Sequence, residues 1–394
     1  MPPLRNSSDP TREQQSRACT EQSSETGNMV NIGVIVTIAG PPQTESDGGK
    51  GAPRKRIENA KATSLLMGSP AASCDVLGQS ITDRVVARLR GFGAQRISII
   101  SEGKLAACTA TSANASLYRA GSTPGFWPAW DSVVSDYLAQ GIETLLLVRL
   151  GPYVELDLLD LLRFHGETAS PLTQVYKGQI ALDLVVVHAA PLRNGTGSYR
   201  SRLSALIPQR QRYAFTGYAN RLAEPADFRR LVHDALLGRC AIRPVGREVR
   251  PGIWYGENAR VDRSATIVAP AFVGAETCVE ASCTITGASS LERQCEVDCG
   301  TTVDDCCVLP GTYLGMGLNV RHALVKGSKL FHLNRDIEVE LSDSRLIGTT
   351  STSRQLGRRA RSVLAPNGTF GTSLVTRSSQ LASLLTTRRF GRSG

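Results

Sequence analysis

From Val261 to Leu309 an aliphatic residue returns at every sixth position: Val261, Ile267, Val273, Val279, Ile285, Leu291, Val297, Val303 and Leu309. Two places before each stands a small one: Ala259, Ala265, Ala271, Thr277, Cys283, Ser289, Cys295, Thr301 and Cys307. A period of six fits neither an amphipathic helix nor an alternating hairpin sheet. It predicts a hexapeptide β-helix, in which each hexad is one short strand and one corner. The aliphatic side chain fills the coil, and the small residue sits where the prism is narrowest. One coil cannot cover its own inner face, so stability comes from stacked neighbours. After Leu309 the phase slips and resumes as Leu318, Leu324 and Leu330, which predicts an outward loop at Leu314-Gly315-Met316-Gly317.

Upstream the pattern is different. Val30 to Ala39 reads as a buried strand, Val76 to Gly91 has helical spacing with Gly91 and Gly93 as its stop, and Arg96 to Ser101 is a short buried strand. Helices are predicted at Trp130–Gln140, Leu156–His165 and Pro225–Leu237. Strands are predicted at Thr144–Val148 and as a pair, Leu172–Tyr176 and Leu182–His188, turning at Lys177-Gly178. Strands alternating with such helices predict an α/β domain with a largely parallel sheet. The expected organisation is a leader over 1–29, an α/β domain over 30–245, a β-helix over 252–348 and a basic tail over 349–394. The joint is Pro244 to Gly252.

Charge changes the picture little. The formal net charge is +10 over 394 residues. Eight Arg and no Asp or Glu lie between Thr349 and Gly394, so the remainder is near neutral and a nucleic-acid partner is not expected. The leader and tail have the composition of disordered segments. No apolar run is long enough to span a bilayer and no signal-peptide core precedes the first strand, so a cytoplasmic protein is expected. Of the ten Cys, Cys283, Cys295 and Cys307 hold small-residue corner positions. Their spacing predicts structural thiols and no zinc site.

Three further stretches carry a resemblance. Val76-Leu77-Gly78-Gln79-Ser80-Ile81, followed by Val85, Leu89 and Gly93, resembles the helix after the first strand of the sugar-1-phosphate nucleotidyltransferases, the sugar-nucleotide pyrophosphorylases. Leu145 to Gly151, then Leu156 to His165, resembles their strand ending in Gly-Asp and the helix behind it. Gly217-Tyr218 through Pro225-Ala226-Asp227-Phe228 resembles their segment around a second aspartate. The resemblance implies a nucleotidyltransferase-like, Rossmann-like α/β domain followed by a left-handed hexapeptide β-helix, working in nucleotide-sugar or polysaccharide-precursor metabolism. It also implies a nucleotide or sugar phosphate as ligand and a homo- or hetero-oligomer built through the β-helix. By the same likeness Gly40, Gly78, Gly151, Gly217, Tyr218 and Asn220 are the candidate binding residues.

The departures concern the chemistry. The family cradles its triphosphate in a Gly-rich loop whose N–H groups approach the phosphates. Here the strand runs into Gly40-Pro41-Pro42, and two prolines remove two donors. Gly48-Gly49-Lys50-Gly51 with Arg54 is the candidate remnant, with Lys50 and Arg54 as its cations. The family holds Mg²⁺ on two aspartates to bridge the phosphates. Those positions align with Pro152 and Arg221, one without a ligand atom and the other repelling a cation. Mg²⁺ is therefore expected only if the protein is active, and the expectation is an impaired nucleotidyltransferase retained for binding, regulation or assembly. An active enzyme with an atypical phosphate loop is the alternative. A hexapeptide acyltransferase using His322 or His332 as general base is a lesser one. His165 is expected to cap the carbonyls ending its helix.

Overall fold

The structure is a computed structural model that describes residues 31–38, 65–94, 96–101, 115–119, 126–194 and 196–351. Gly40, Lys50, Arg54, the leader and most of the basic tail lie outside the described residues.

The principal sheet has seven strands: β1 (Ile32–Ile38), β2 (Arg96–Ser101), β3 (Ala115–Arg119), β4 (Thr144–Arg149), β5 (Leu172–Lys177), β6 (Ile180–His188) and β7 (Gln211–Ala214). Their spatial order is β7-β5-β6-β4-β1-β2-β3. β1 runs parallel to both β2 and β4, and β2 runs parallel to β3; β6 alone opposes its neighbours. Both faces are covered, which is why these strands are nearly continuous aliphatic runs. On one face Val34, Val36, Ile97, Leu146 and Val148 pack with helices α1 (Ile81–Gly91) and α3 (Leu158–Glu167). On the other, Ile35, Ile100, Leu145 and Val187 meet α2 (Phe126–Ala139), α4 (Ala189–Asn194) and α5 (Tyr199–Leu206). Gly33 is required where α2 crosses β1. A Cβ there would stand 2.4 Å from the ring of Tyr137, whose hydroxyl reaches the Val34 carbonyl.

One predicted helix begins later than its hydrophobic spacing suggests. Asp75–Val76 and Gln79–Ser80 form a tight antiparallel hairpin, and α1 starts only at Ile81. Ser80 ends the hairpin and caps the helix through the Asp83 N–H. Leu77 and Gly78 both have positive φ, +54° and +91°, the pattern of a type I′ turn. A leucine there is disfavoured by about 1–2 kcal/mol, so the surroundings must hold it.

The C-terminal part is a three-sided, β-helix-like stack of parallel strands. One side carries Ile253–Tyr255, Ala271–Val273, Ser290–Leu291, Cys307–Val308 and Ala323–Lys326. The second carries Arg260–Val261, Cys278–Val279, Glu296–Val297 and Thr312–Leu314. The third carries Thr266–Ile267, Thr284–Thr286, Thr302–Asp304 and Asn319–Arg321. Partners are eighteen residues apart at first, Arg260 with Cys278 and Thr284 with Thr302. Residues with positive φ mark successive corners at Glu276, Ser282, Ala288, Gln294 and Gly300, one per hexad.

The next corner comes one residue early, at Asp305, and partners are thereafter seventeen apart: Ser290 with Cys307, Glu296 with Tyr313. This corrects the phase read from the sequence. The inner residue is Val308, while Leu309 turns to the α/β domain. Cys306 takes the inner corner and Cys307 faces outward into that same domain junction. Leu314, Val320 and Val325 continue the inner row in place of Leu318 and Leu324, and Leu330 lies beyond the last coil on the hairpin strand Lys329–His332. Nor is Leu314 to Gly317 an outward loop. Leu314 is buried, and Gly315 donates its N–H to the Leu346 carbonyl so closely that a side chain there would overlap Arg345. A five-residue side leaves the aliphatic spacing intact by accident, because Val308 and Leu309 are adjacent.

Small corner residues do more than fit. Thr277 Oγ1 donates to the Glu292 carbonyl at 2.7 Å and accepts from the Cys295 N–H at 3.1 Å. Thr301 repeats the bridge between the Gly315 carbonyl and the Leu318 N–H, while Ser289 accepts from the Cys306 N–H of the next coil and donates to the Thr286 carbonyl of its own. The thiols of Cys283 and Cys295 donate to the Asp298 and Leu309 carbonyls at 3.1 and 3.3 Å. Buried corner carbonyls need donors, and a hydroxyl or thiol supplies one in the least volume.

A separate core joins the two parts. Val76, Leu77 and helix α6 (Pro225–Leu236), through Phe228 and Leu231, pack against Phe272, Cys307, Leu309 and Leu324 on the first side of the stack.

Candidate functional site

In an open α/β sheet, ligands bind beyond the carboxyl ends of the strands where the chain order reverses. Here that point lies between β1 and β4, because β2 and β3 extend the sheet one way from β1 and β4 the other. The residues leaving β4 are Leu150-Gly151-Pro152, and the Leu150 N–H still reaches the Thr37 carbonyl of β1 at 2.8 Å. The chain then forms the two-residue strand Tyr153–Val154, which pairs antiparallel with Ala219–Asn220. Asn220 stands opposite Tyr153, so Arg221 and Pro152 follow directly beyond one end of this ladder. Two residues separated by 69 positions in the chain are thus brought to one place, at the switch point.

Other expected residues gather around them. Gly151 lies beside Asp183 of β6; its Oδ2 is 3.5 Å from where a Cβ on Gly151 would stand. Gly217 is crossed by the Phe215 ring, 2.6 Å from a Cβ position, and its carbonyl accepts from Lys177 Nζ at 3.0 Å. Lys177 ends β5 at the same edge as the end of β4. Tyr218 donates its hydroxyl to Asp234 Oδ2 at 2.9 Å and its ring meets Tyr153 edge-on. Burial and the Asp234 carboxylate both push that phenol up, so it stays a neutral donor.

Two expected residues serve elsewhere. Asn220 is buried, its Oδ1 accepting from the Leu222 N–H at 3.0 Å and its Nδ2 donating to the Asp227 carbonyl at 2.8 Å. It fixes the turn into α6 and offers no free group to a ligand. Gly78 lies in the hairpin turn under the β-helix-like stack, 3.0 Å (as a Cβ) from Val245, and not at the strand ends. Periodicity alone predicts a helix there.

The residues at the two aligned positions do not fit Mg²⁺. Pro152 has no side-chain donor and Arg221 carries the wrong charge. Asp157 is spent as the N-cap of α3, accepting from the Leu159 N–H at 3.0 Å, and Asp160 pairs with the Tyr213 hydroxyl. Among the described residues no group of three or more His, Cys, Asp or Glu side chains is placed to hold a metal ion.

The histidines depart from expectation as well. His165 caps nothing. It is buried, with Nδ1 2.8 Å from Thr173 Oγ1 and its ring against that of His188, and burial first, then His188, lowers its pKa to about 4. His322 occupies a corner with φ +48° and its Nδ1 lies 2.6 Å from Asp305 Oδ2. The other oxygen of Asp305 accepts from Arg229 Nε at 2.9 Å, and Arg229 Nη2 also donates to the Gly287 carbonyl at 2.8 Å. This group ties α6 to the stacked corners of two neighbouring coils.

No protein-family model matches the chain, and no curated protein matches it. No described helix is long and apolar enough to cross a membrane.

Proposed function

We propose that this protein is a nucleotidyltransferase-like member of nucleotide-sugar or polysaccharide-precursor metabolism that binds a nucleotide or sugar phosphate without efficient turnover, and that assembles through a left-handed β-helix. The observation that carries the reading is the pairing of Tyr153–Val154 with Ala219–Asn220. It sets Pro152 and Arg221 together at the switch point of a sheet ordered for a ligand at that edge. The two segments that resemble one family's metal-binding segments lie together there, and neither Pro152 nor Arg221 can hold a metal, which supports binding over turnover. An arginine there favours a phosphate directly. The flat, regular outer sides of the stack suit association with further copies.

A second reading, an active enzyme with an atypical site, draws on Asp183, whose carboxylate stands beside Gly151. One experiment separates them. The full chain is incubated with a panel of sugar 1-phosphates and nucleoside triphosphates with Mg²⁺, and pyrophosphate release is followed beside calorimetric binding. Binding without pyrophosphate supports the first reading, and multiple turnovers support the second. Neither binding nor turnover across the panel sinks both.

A further inference from the structure

We propose that the Leu77–Gly78 turn is a carboxylate-binding seat on the α/β domain, occupied in the intact chain by Glu292 of the coil stack. The seat is the ligand site that locks the two parts together. The proposal is independent of the nucleotidyltransferase reading.

Glu292 follows the inner residue Leu291 and points out of the stack toward the α/β domain. It is 1 % exposed. Its two oxygens are used separately: Leu77 N–H donates to Oε1 at 2.8 Å and Gly78 N–H to Oε2 at 2.8 Å. Successive N–H groups aimed at one anion form a concave receptor, the arrangement that binds anions in nests. Leu77 and Gly78 are the two turn residues between the paired Val76 and Gln79, so neither N–H enters the hairpin ladder. The receptor has a cation behind it. Arg84 of α1 is half-buried and donates through Nη2 to the Val76 and Leu77 carbonyls at 2.6 and 3.1 Å, which fixes the far side of the same two peptide units.

The charges around the seat are crossed between the parts. Asp75, from the hairpin, faces Arg293 of the stack at 3.0 Å, while Glu292 of the stack faces Arg84 of the hairpin's own helix. Two acids and two bases balance. The thiols of Cys74, Cys295 and Cys307 also lie near the carboxyl, each pushed up by burial. A buried carboxylate needs such compensation, and here each part supplies one acid and one base. The bond from its N–H to Glu292 helps to hold Leu77 at φ +54°. It connects onward to the candidate site. Arg88, one turn beyond Arg84, donates to the Leu156 carbonyl at 3.1 Å, in the segment that follows Pro152 and Tyr153.

The test is to empty the seat and refill it. In the full chain, Glu292→Ala is examined by hydrogen exchange and thermal unfolding, with sodium formate as the probe and sodium chloride at equal ionic strength as control. Exchange at the Leu77 and Gly78 amides is expected to rise about ten-fold or more and the unfolding temperature to fall. Formate should then restore protection saturably, and chloride should not. Unchanged protection in Glu292→Ala, or an equal response to the two salts, would overturn the proposal. If Glu292→Ala does not fold, Glu292→Gln decides: its oxygen can accept from one amide only, so one of the two should lose protection. Retention of both would count against a carboxylate seat.

Discussion

The coil stack and the strand-end site are built under different constraints. Every coil of the stack repeats one demand, an aliphatic side chain inside and a small residue at the corner, so the same information is written many times along the chain. The strand-end site is written once. It depends on Pro152 and Arg221 meeting through a two-residue ladder, and nothing local to either segment says so. A region specified by repetition resists substitution of its surface and fails when its interior is cut. A region specified by a single meeting of loops should lose ligand without losing stability.

That contrast can be broken at its strongest point first. Ile285 is fully buried between coils, with inner residues above and below. Ile285→Ala is expected to cost roughly 2–5 kcal/mol, the range for a buried aliphatic truncation. Urea titration of the two proteins reads it from the midpoints. A cost under about 1 kcal/mol would mean that the stack tolerates voids and does not fail when its interior is cut.

Next comes the joint. Arg229 is 7 % exposed and holds Asp305 and the Gly287 carbonyl at once. Arg229→Ala leaves the Gly287 carbonyl and one oxygen of Asp305 without their donor, while His322 keeps the other, at an expected cost of about 2–4 kcal/mol, discounted because Asp305 is 36 % exposed. Asp305→Asn in the same chain should recover part of that loss. If the double variant is no better than the single one, the ion pair is not what binds α6 to the corner.

Much of this is legible in the sequence. The hexad names the stack, the alternation of strands and helices names the other domain, and the composition near Arg96–Ser101 or Thr144–Val148 suffices for buried parallel strands. The misses share a cause. Val308 and Leu309 are equally aliphatic, so a five-residue side at Asp304 to Cys307 is invisible to a hydrophobic count; the signal is the Asp304-Asp305 pair, two acids where a hexad offers one outward turn. Val76 and Leu77 fit a helical period although a hairpin claims them; Gly78 followed by Ser80 marks the turn and cap instead. Helices α4 and α5 carry weak periodicity, and β7 is an edge strand rich in polar residues. At the candidate site, sequence likeness points to Pro152 and Arg221 but gives no hint of Asp183 beside Gly151, whose approach depends on β6 lying antiparallel beside β4.

A smaller effect tests the seat by pH. Burial first, and then the neighbouring Asp75, raises the Glu292 carboxyl from 4.5 to about 7. The native state thus holds this proton more tightly than the unfolded chain. Between about pH 4.5 and 7 the unfolded state has released it and the native state has not. This group's contribution to stability is therefore full below about pH 4.5 and declines as pH rises to about 7, with a slope of at most ~1.4 kcal/mol per unit. Asp75 is raised in the same direction, so the comparison is wild type against Glu292→Gln. The difference between their urea midpoints should shift against the wild type across that window and be flat above it. A difference that grows in favour of wild type with rising pH would reverse the sign and show that the N–H donors and Arg84 outweigh burial.

The least change in stability is expected at Arg221, and there the contrast is sharpest. Arg221 is exposed and sits past the end of a two-residue strand. Arg221→Ala should leave the urea midpoint within about 0.5 kcal/mol of the parent, as for most surface substitutions. If Arg221 meets a phosphate where the resemblance puts a metal, its removal should weaken binding of the tightest nucleotide or sugar phosphate about ten-fold or more, the loss of one charge-assisted contact. Arg221→Lys should restore only part, since an ammonium keeps the charge but not the fork of donors. Calorimetry on the three proteins, with and without Mg²⁺, measures both the loss and its dependence on metal. Unchanged affinity in Arg221→Ala would take the arginine out of the site. A parent affinity that rises sharply with Mg²⁺ would instead point to a metal held by another carboxylate, with Asp183 the first to substitute.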